Sequence, residues 1–235
     1  MELFGLAILC VWLAACGGAQ SPSGPQKLTA AQQAAQDQMD TAVAGANKTA
    51  AAYKAMDNVS LITKLNEQSA ARTEPFNSPA YRELVGRTDV DPQALVAAVE
   101  AAKNGDGLLA LLLVRKQNQK AYEGIPAEVR VAVLTDALRT EKRFNTWGLP
   151  GTYMEDAPKA MIEAGRSAVP ALRKLLTDTR PTPMMGAKEL SVAQDYHFRV
   201  CDYALAYLEK IEGKPAGPLP MALAARDALI REMMK

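Results

Sequence analysis

Helical periodicity runs through this chain from Leu28 to its last residues, and it constrains the fold more than any other feature of the sequence. Apolar residues recur at spacings of three and four, whereas the period-two alternation with β-branched residues that is typical of strands is missing. Alanine is abundant, and aromatic residues make up only 6% of the chain. This composition suits closely packed helices, so the sequence predicts an all-α fold.

The longest predicted helix covers Leu28 to Asp57 and carries a single apolar seam. The seam residues follow one another at spacings of four, three, four and three: Met39, Val43, Ala46, Ala50 and Tyr53. Such a seam can pair with a partner coil, but we expect it to pack against the chain's own helices. After a break at residues 58–60, Ser60 is expected to cap a shorter helix.

Several later helices are predicted to begin at prolines. Ser78-Pro79 and Asp91-Pro92 each place a capping side chain before a proline at the first helical position, where the missing N–H costs nothing. Pro126 is expected to start another helix. The segment Leu108–Val114 (LLALLLV) is apolar on all sides, so we expect neighbouring helices to bury it. A last helix is predicted from about Pro220. The sequence thus predicts nine or ten successive helices, which is the layout of stacked helical hairpins.

Charge and cysteine content exclude several classes of function. The chain carries 27 Lys and Arg against 26 Asp and Glu, without a block of like charge, which argues against a nucleic-acid partner. Its three cysteines, Cys10, Cys16 and Cys201, form neither a disulfide framework nor a zinc-binding spacing. We therefore expect no metal and no cofactor. Cys201 lies in a helical pattern and is predicted to be a small core residue.

An apolar stretch from Leu3 to Ala15 opens the sequence. A helix needs roughly 20 apolar residues to cross a bilayer core, so this stretch is too short to span one and instead fits the hydrophobic region of a signal peptide. Leu13-Ala14-Ala15-Cys16 resembles the lipobox of bacterial lipoproteins. The alternative is a hydrophobic helix that packs on the domain, and the first residues, Met1-Glu2, lack the basic charge usual in signal peptides.

The lipobox resemblance implies a location in the cell. In that family the cysteine is acylated and becomes the first residue of the mature chain, which would make residues 1–15 a cleaved signal peptide with Cys16 lipidated. Residues 16–27 are small, polar and interrupted by prolines, as expected of a flexible tether. The resemblance implies a membrane-anchored envelope protein. Because Gly17 is not the aspartate of an inner-membrane retention signal, a Gram-negative cell would carry it on the outer membrane facing the periplasm.

A second resemblance concerns the fold. Ala164–Asp178 (AGRSAVPALRKLLTD) resembles the first helix of a HEAT repeat, and Cys201–Gly213 (CDYALAYLEKIEG) resembles the second. The resemblance implies that Pro170 bends the first helix and that HEAT-like helical hairpins stack as a short α-solenoid. The connection Arg180–Tyr196 is longer than the usual turn. Glycine is the usual residue after a helix, and Gly213 is expected to end the second helix.

These patterns divide the chain into four predicted parts. The signal peptide at 1–15 and the tether at 16–27 precede an N-terminal helical region at 28–90 and a HEAT-like helical domain at 91–235. HEAT-like folds mostly bind other proteins, although a fold does not by itself give a function.

Two stretches could bind a partner. Arg139–Tyr153 (RTEKRFNTWGLPGTY) collects the residue types that concentrate binding energy at interfaces, although the same types also pack at helix corners. Arg180–Gly186 contains methionines, which suit an adaptable surface or fill gaps in a core. The candidate partner-binding residues are Arg139, Lys142, Arg143, Phe144, Trp147, Tyr153, Met184 and Met185.

Motifs for catalysis are sparse. His197, the single histidine, follows Asp195-Tyr196 and could act as a general base, but nucleophile, zinc and nucleotide-binding motifs are missing. We expect it to be structural or exposed, and we assign no catalytic residue. The leading hypothesis is a non-enzymatic, lipid-anchored protein that binds another envelope protein. The alternatives are an enzyme or enzyme subunit acting on envelope polymers and a carrier of an apolar ligand.

Overall fold

The computed structural model describes residues 29–102, 104–185, 190–214 and 217–235. Twelve α-helices and several short 3-10 turns form within these residues, which contain no β-strand beyond two isolated bridges, Leu149–Tyr153 and Pro181–Arg199. The prediction of an all-α fold is confirmed. The predicted lipidation site Cys16, with the signal peptide and the tether, lies outside the described residues, as does Gly186.

The connections between helices are short up to α7 and longer after α7, α9 and α11. Their bounds are α1 Ala30–Lys54, α2 Asn58–Ala70, α3 Pro79–Val85, α4 Pro92–Ala101, α5 Leu108–Gln117, α6 Gln119–Gly124, α7 Ala127–Thr140, α8 Asp156–Glu163, α9 Val169–Leu175, α10 Leu190–Tyr196, α11 Val200–Ile211 and α12 Leu223–Met233. By contacts the chain divides into two compact units, one ending at Ala51 and the other covering Ala52–Lys235.

Helix α1 begins at a reciprocal cap. The Thr29 hydroxyl accepts from the backbone N–H of Gln32, and the Gln32 side chain accepts from the backbone N–H of Thr29, which satisfies two donors at the helix start. No residue of α1 is buried. Met39 and Val43 are 45% and 53% exposed, so the predicted burial of the seam does not occur at these positions.

Side-chain caps start the next three helices. Asp57 caps α2 by accepting from the backbone N–H of Ser60 at 2.7 Å, so the predicted cap is wrong: Ser60 donates to the capping residue. Ser78 and Asp91 cap α3 and α4, each before a proline, as predicted. The helix begins one turn earlier than predicted: the Leu61 N–H already donates to the Asp57 carbonyl, so Ser60 lies inside the first turn and cannot serve as its cap.

Helix α5 lies at the centre of the larger unit. Every residue from Leu108 to Val114 is buried, as the apolar run predicts. Six helices pack around it: α2, α3, α4, α6, α7 and α8. A helix without a polar face needs neighbours on all sides, and the helices before and after α5 in the chain supply them.

A 3-10 turn, Asn104–Gly107, brings the chain from α4 into α5 and packs against α7. The approach is close: a Cβ atom at Gly105 would lie 2.7 Å from the backbone nitrogen of Ala137. The backbone N–H of Gly105 donates to the Asp136 carboxylate at 2.6 Å. Glycine is needed here because any side chain would push the turn away from α7.

Helix α11 organises the C-terminal part, where it packs against α8, α9 and α12. It covers most of the residues for which the sequence predicted a helix ending at Gly213, and Gly213 follows it with a φ of 70°. The first predicted helix differs. Gly165–Ala168 forms a 3-10 turn, and Pro170 lies in the first turn of α9. Pro170 therefore starts a helix rather than bending one, as its fixed φ and missing N–H favour.

Helix α12 is held by a buried arginine that the sequence pattern did not reveal. Arg226 is 1% exposed, and its guanidinium donates to the backbone carbonyls of Tyr196, Pro220 and Met221 at 2.7–2.9 Å. Its Nε lies 3.2 Å from Asp202 Oδ1, an ion pair whose angle falls outside hydrogen-bond geometry. The arginine thus ties α12 to α11 and to the end of α10.

Asp202 connects this arginine to a second one. The fully buried Asp202 carboxylate accepts from the backbone N–H of Arg199 at 2.9 Å and from its guanidinium at 3.0 Å. The Arg199 guanidinium also donates to Asp227 on α12 at 2.8 Å. Hydrogen bonding to Asp202 raises the pKa of Arg199 above its ordinary value. Each buried charge in this network therefore has an opposite charge beside it, as burial requires.

Replacing Arg226 with methionine is expected to lower the free energy of unfolding by about 3 kcal/mol, because it removes one partner of a buried ion pair and leaves three carbonyls without their donor. Urea unfolding followed by circular dichroism measures the change. The matched control is Arg231→Met on the exposed face of the same helix, with an expected cost of at most about 0.5 kcal/mol. Equal losses in the two variants would contradict a structural role for the network.

Candidate functional site

The structure joins the two stretches that the sequence singled out separately. The backbone N–H of Phe144 donates to the Pro183 carbonyl at 2.9 Å. The Asn145 side chain donates to the Met185 carbonyl at 2.8 Å and accepts from the Met185 N–H at 3.1 Å. Residues 144–145 and 183–185 therefore form one corner, fixed by three hydrogen bonds.

Three candidate binding residues are core residues instead. Phe144, Trp147 and Met184 are 1%, 0% and 7% exposed. The ring centroids of Phe144 and Tyr203 lie 5.1 Å apart, and those of Trp147 and Tyr207 lie 6.3 Å apart. Both tyrosines belong to α11, so these aromatic residues anchor the corner to that helix. Of the two interpretations left open by the sequence, packing at a helix corner applies to these three.

The other five candidates, Arg139, Lys142, Arg143, Tyr153 and Met185, are exposed. Arg139 pairs with Asp136 at 2.6 Å, three residues earlier on α7. The Tyr153 hydroxyl donates to Glu155. Met185 is 51% exposed, next to the buried Met184. The corner thus alternates between side chains that face the core and side chains that face solvent.

A partly buried carboxylate lies beneath the basic residues. Glu141 follows α7 and accepts from the backbone N–H groups of Lys142 at 2.8 Å and Arg143 at 3.4 Å. Burial raises the pKa of Glu141, and the nearby Glu74 carboxylate raises it further, while Arg72 acts in the opposite direction. The hydrogen bonds orient the backbone at the start of the basic pair.

Glu74 connects the corner to the turn that follows α2. Burial raises the pKa of Glu74, and the positive charge of Arg143 opposes that rise. One carboxylate oxygen accepts from Asn77 at 3.0 Å, and the other is buried without a hydrogen-bond partner. A carboxyl group in such surroundings is more easily protonated than usual and can then donate a hydrogen bond.

Arg72 supports this turn from the other side. It has a φ of 57°, a left-handed conformation that is uncommon for residues other than glycine. Its guanidinium donates to the Asp106 carboxylate at 2.8 Å and lies 3.7 Å from that of Asp136. Arg72 therefore links the end of α2 to the 3-10 turn before α5 and to α7.

Phe76 is the exposed aromatic residue that sequence reasoning missed. It lies in the 3-10 turn Pro75–Asn77, and its side chain is 81% exposed. The positive charge of Arg143 acts on Glu74, two residues before Phe76. The clue in the sequence was a large apolar residue between two turn formers, without the periodic neighbours that mark a core residue. We use the term corner surface for Phe76, Lys142, Arg143 and Met185.

The exposure of His197 and the burial of Cys201 agree with the predictions from the sequence. His197 is exposed just after α10, with a φ of 48°, and its backbone N–H donates to the Ala193 carbonyl. Cys201 is 1% exposed, and burial raises the pKa of its thiol to about 11. A thiol in this state is protonated at neutral pH and is a poor nucleophile.

A shallow groove of about 390 Å³ opens on the surface near α9 and α11. Its lining combines two charged residues with three apolar ones: Arg166, Glu212, Val169, Pro170 and Ile211. The groove is open to solvent. An apolar ligand carrier would instead need an enclosed apolar cavity, which buries most of its ligand.

Comparison of the chain with protein-family models, with curated proteins and with solved structures finds no significant match. None of the helices in the described parts of the chain is both long and apolar enough to cross a membrane. In the same parts, no group of three or more His, Cys, Asp or Glu side chains is placed to hold a metal ion.

Replacing Glu141 with glutamine tests the electrostatics beneath the corner surface. Burial raises the pKa of Glu141 in the folded state. At pH values above that pKa, the negative charge of Glu141 therefore lowers the free energy of unfolding. The cost vanishes below the pKa of the unfolded chain, about 4.3. Glu141→Gln keeps an acceptor for the Lys142 N–H and is expected to raise the melting temperature at pH 7 but not near pH 4.

Thermal unfolding at the two pH values measures this difference between variant and native chain. Glu100→Gln, on an exposed part of α4, is the control and should leave both melting temperatures unchanged. A lower melting temperature for Glu141→Gln at pH 7 would show that its charge stabilises the fold.

Proposed function

We propose that this chain is a lipid-anchored cell-envelope protein whose helical domain binds another protein through the corner surface. The observation that carries the proposal is the 81% exposure of Phe76, two residues from Glu74, on which the positive charge of Arg143 acts. Burying a phenylalanine side chain in an interface gains roughly 1.5–3 kcal/mol. Aromatic residues and arginine are the types that most often dominate binding energy at interfaces.

The rigidity of the corner supports the same proposal. Phe144, Trp147 and Met184 are buried directly beside the exposed residues, and Asn145 joins the two stretches through two hydrogen bonds. Exposed side chains on such a base lose little backbone freedom when a partner binds, which reduces the entropic cost of association. Met185 adds an adaptable apolar contact at the edge.

The charges of the corner surface favour a partner with acidic residues at its rim. Lys142 and Arg143 are exposed and positive, whereas the carboxylates beneath them, Glu74 and Glu141, are partly buried and have raised pKa values. Complementary charges increase the rate of encounter and help to reject wrong partners. Binding through this surface should therefore weaken as salt concentration rises.

The lipobox-like sequence Leu13–Cys16 supports anchoring in a membrane. Acylation of Cys16 would attach the chain, and two or more acyl chains suffice for stable attachment. The small and proline-containing residues 16–27 would then serve as a flexible tether to the helical domain.

A HEAT-like arrangement of hairpins is part of the proposal. Helix α9 packs directly on α11, with α7 against α9 and α8 against α11. Successive helix pairs that contact mainly their neighbours are the basis of an α-solenoid. The hairpin of α9 and α11 carries the two sequences that resemble a HEAT repeat, and this is the pair that supports the resemblance.

The double variant Arg143→Glu with Phe76→Ala tests the corner surface. It reverses one exposed charge and removes the exposed ring, so capture of the partner from solubilised envelopes should fall at least about tenfold. Trp147 is unsuitable for this test because truncating a buried tryptophan costs about 3–5 kcal/mol of stability. Affinity purification with quantitative mass spectrometry measures the captured protein.

The control pair is Arg166→Glu with Val59→Ala, which changes an exposed arginine and an exposed apolar residue elsewhere on the same unit. It should leave capture unchanged. Circular dichroism establishes that both double variants fold. Unchanged capture by the corner variant, or an equal loss in the control, would reject the corner surface as the binding site.

Replacing Cys16 with alanine tests the anchor. The variant should keep its signal peptide and take up no labelled fatty acid, because acylation and signal-peptide cleavage both require the cysteine thiol. Metabolic labelling and gel mobility measure the two outcomes. Cys201→Ala, which removes the buried thiol of α11, should still be labelled and cleaved. Normal acylation of the Cys16 variant would contradict lipidation at this residue.

A further inference from the structure

Helix α1 presents an apolar seam to solvent. The helix is 25 residues long, and none of them is buried. Met39 and Val43, two large members of the seam, are 45% and 53% exposed. Ala46 and Ala50 continue the same stripe and are also exposed. A helix of this kind gains stability when a partner covers its apolar stripe.

The spacing of the seam is that of a coiled coil. Intervals of four, three, four and three residues repeat every seven, which places all five seam positions on one narrow stripe of a supercoiled helix. The alanines in the middle of the stripe allow two helix backbones to approach closely. The stripe is therefore suited to one long helix lying alongside α1.

The charged residues of α1 indicate which helix lies alongside it. Asp40 directly follows the seam residue Met39, and Lys54 directly follows the seam residue Tyr53, so both charged residues flank the seam on the same side. The acidic residue lies in the first half of α1 and the basic residue at its end. An antiparallel copy of α1 brings these two positions together, whereas a parallel copy places like charges at the same level.

We propose that a second copy of this chain packs against α1 as an antiparallel coiled coil, with the two-fold axis close to Asn47. Asp40 then pairs with Lys54 of the second copy, and the symmetric pair forms at the other end. In the seam, Ala46 faces Ala50 of the second copy. The antiparallel arrangement also aligns opposite ends of the two helix dipoles.

The contacts already present in α1 are compatible with this pairing. Asp40 accepts one hydrogen bond, from the Gln36 side chain at 2.8 Å, and a carboxylate has further acceptor sites for a lysine. Lys54 is exposed, and only its backbone carbonyl is engaged, by Arg87 at 3.0 Å. Tyr53 is partly buried against the chain's own core, and its hydroxyl accepts from Gln68, so the free part of the seam ends at Ala50.

A charge swap tests both the pairing and its direction. Sedimentation velocity on the detergent-solubilised full chain should show a dimer. Asp40→Lys places two positive charges together at both ends and should weaken dimerisation by about tenfold. Adding Lys54→Asp restores opposite charges only in the antiparallel arrangement, and the double variant should regain the native affinity. Asp37→Lys, on the side of α1 away from the seam, is the control and should dimerise like the native chain.

A second variant tests the seam itself. Val43→Glu puts a charge into the apolar stripe and should make the chain monomeric, while the far-ultraviolet circular dichroism of the folded unit persists. A native chain that stays monomeric, a Val43→Glu chain that still dimerises, or a charge swap that fails to restore pairing would each overturn the proposal. An assembly in which a different protein occupies α1 would overturn it as well.

Discussion

The fold depends on covering α5. Its residues Leu108–Val114 are apolar in every direction, and such a helix is stable in water only when neighbours surround it. Six helices pack against α5: α2, α3 and α4 precede it in the sequence, and α6, α7 and α8 follow it. The connections from α4 to α7 are short, which lets these successive helices pack against the same central helix. The glycine-containing turn at Asn104–Gly107 allows the chain to pass close to α7 just before α5 begins.

The corner surface is a product of the same packing. Helix α7 packs on α5 and ends at Thr140, so the residues after it leave the core at a fixed point. Phe144 and Trp147 then return to pack against the tyrosines of α11. Between the end of α7 and Phe144, the backbone N–H groups of Lys142 and Arg143 are held by Glu141. Packed residues on both sides thus hold the two basic side chains in solvent.

Local sequence patterns predicted the elements well where one interaction decides the outcome. The proline-associated starts of α3 and α4 and the burial of α5 were predictable, because a cap or an all-apolar segment leaves few alternatives. Pro170 was misjudged, since the same residue can bend a helix or begin one. The boundary at Asp57 was missed because Asp57 and Ser60 are both common capping residues, each able to start the helix at a different position.

The candidate site was harder to predict because it depends on contacts between residues far apart in the sequence. Asn145 and Met185 are 40 residues apart and bond directly, and periodicity carries no information about such a pair. For the same reason the sequence could not separate the buried Trp147 from the exposed Arg143. Arg226 was missed because a charged residue on a short helix is usually solvated, and only its buried partners distinguish it.

The central claim is that the corner surface contacts another protein in the cell envelope. The most direct test places a photoreactive amino acid at Phe76 in living cells and identifies the cross-linked species by mass spectrometry. A cross-link to one specific envelope protein from this position, but not from the equally exposed Val59, is the predicted result. The same products from both positions, or no product from Phe76, would contradict the account.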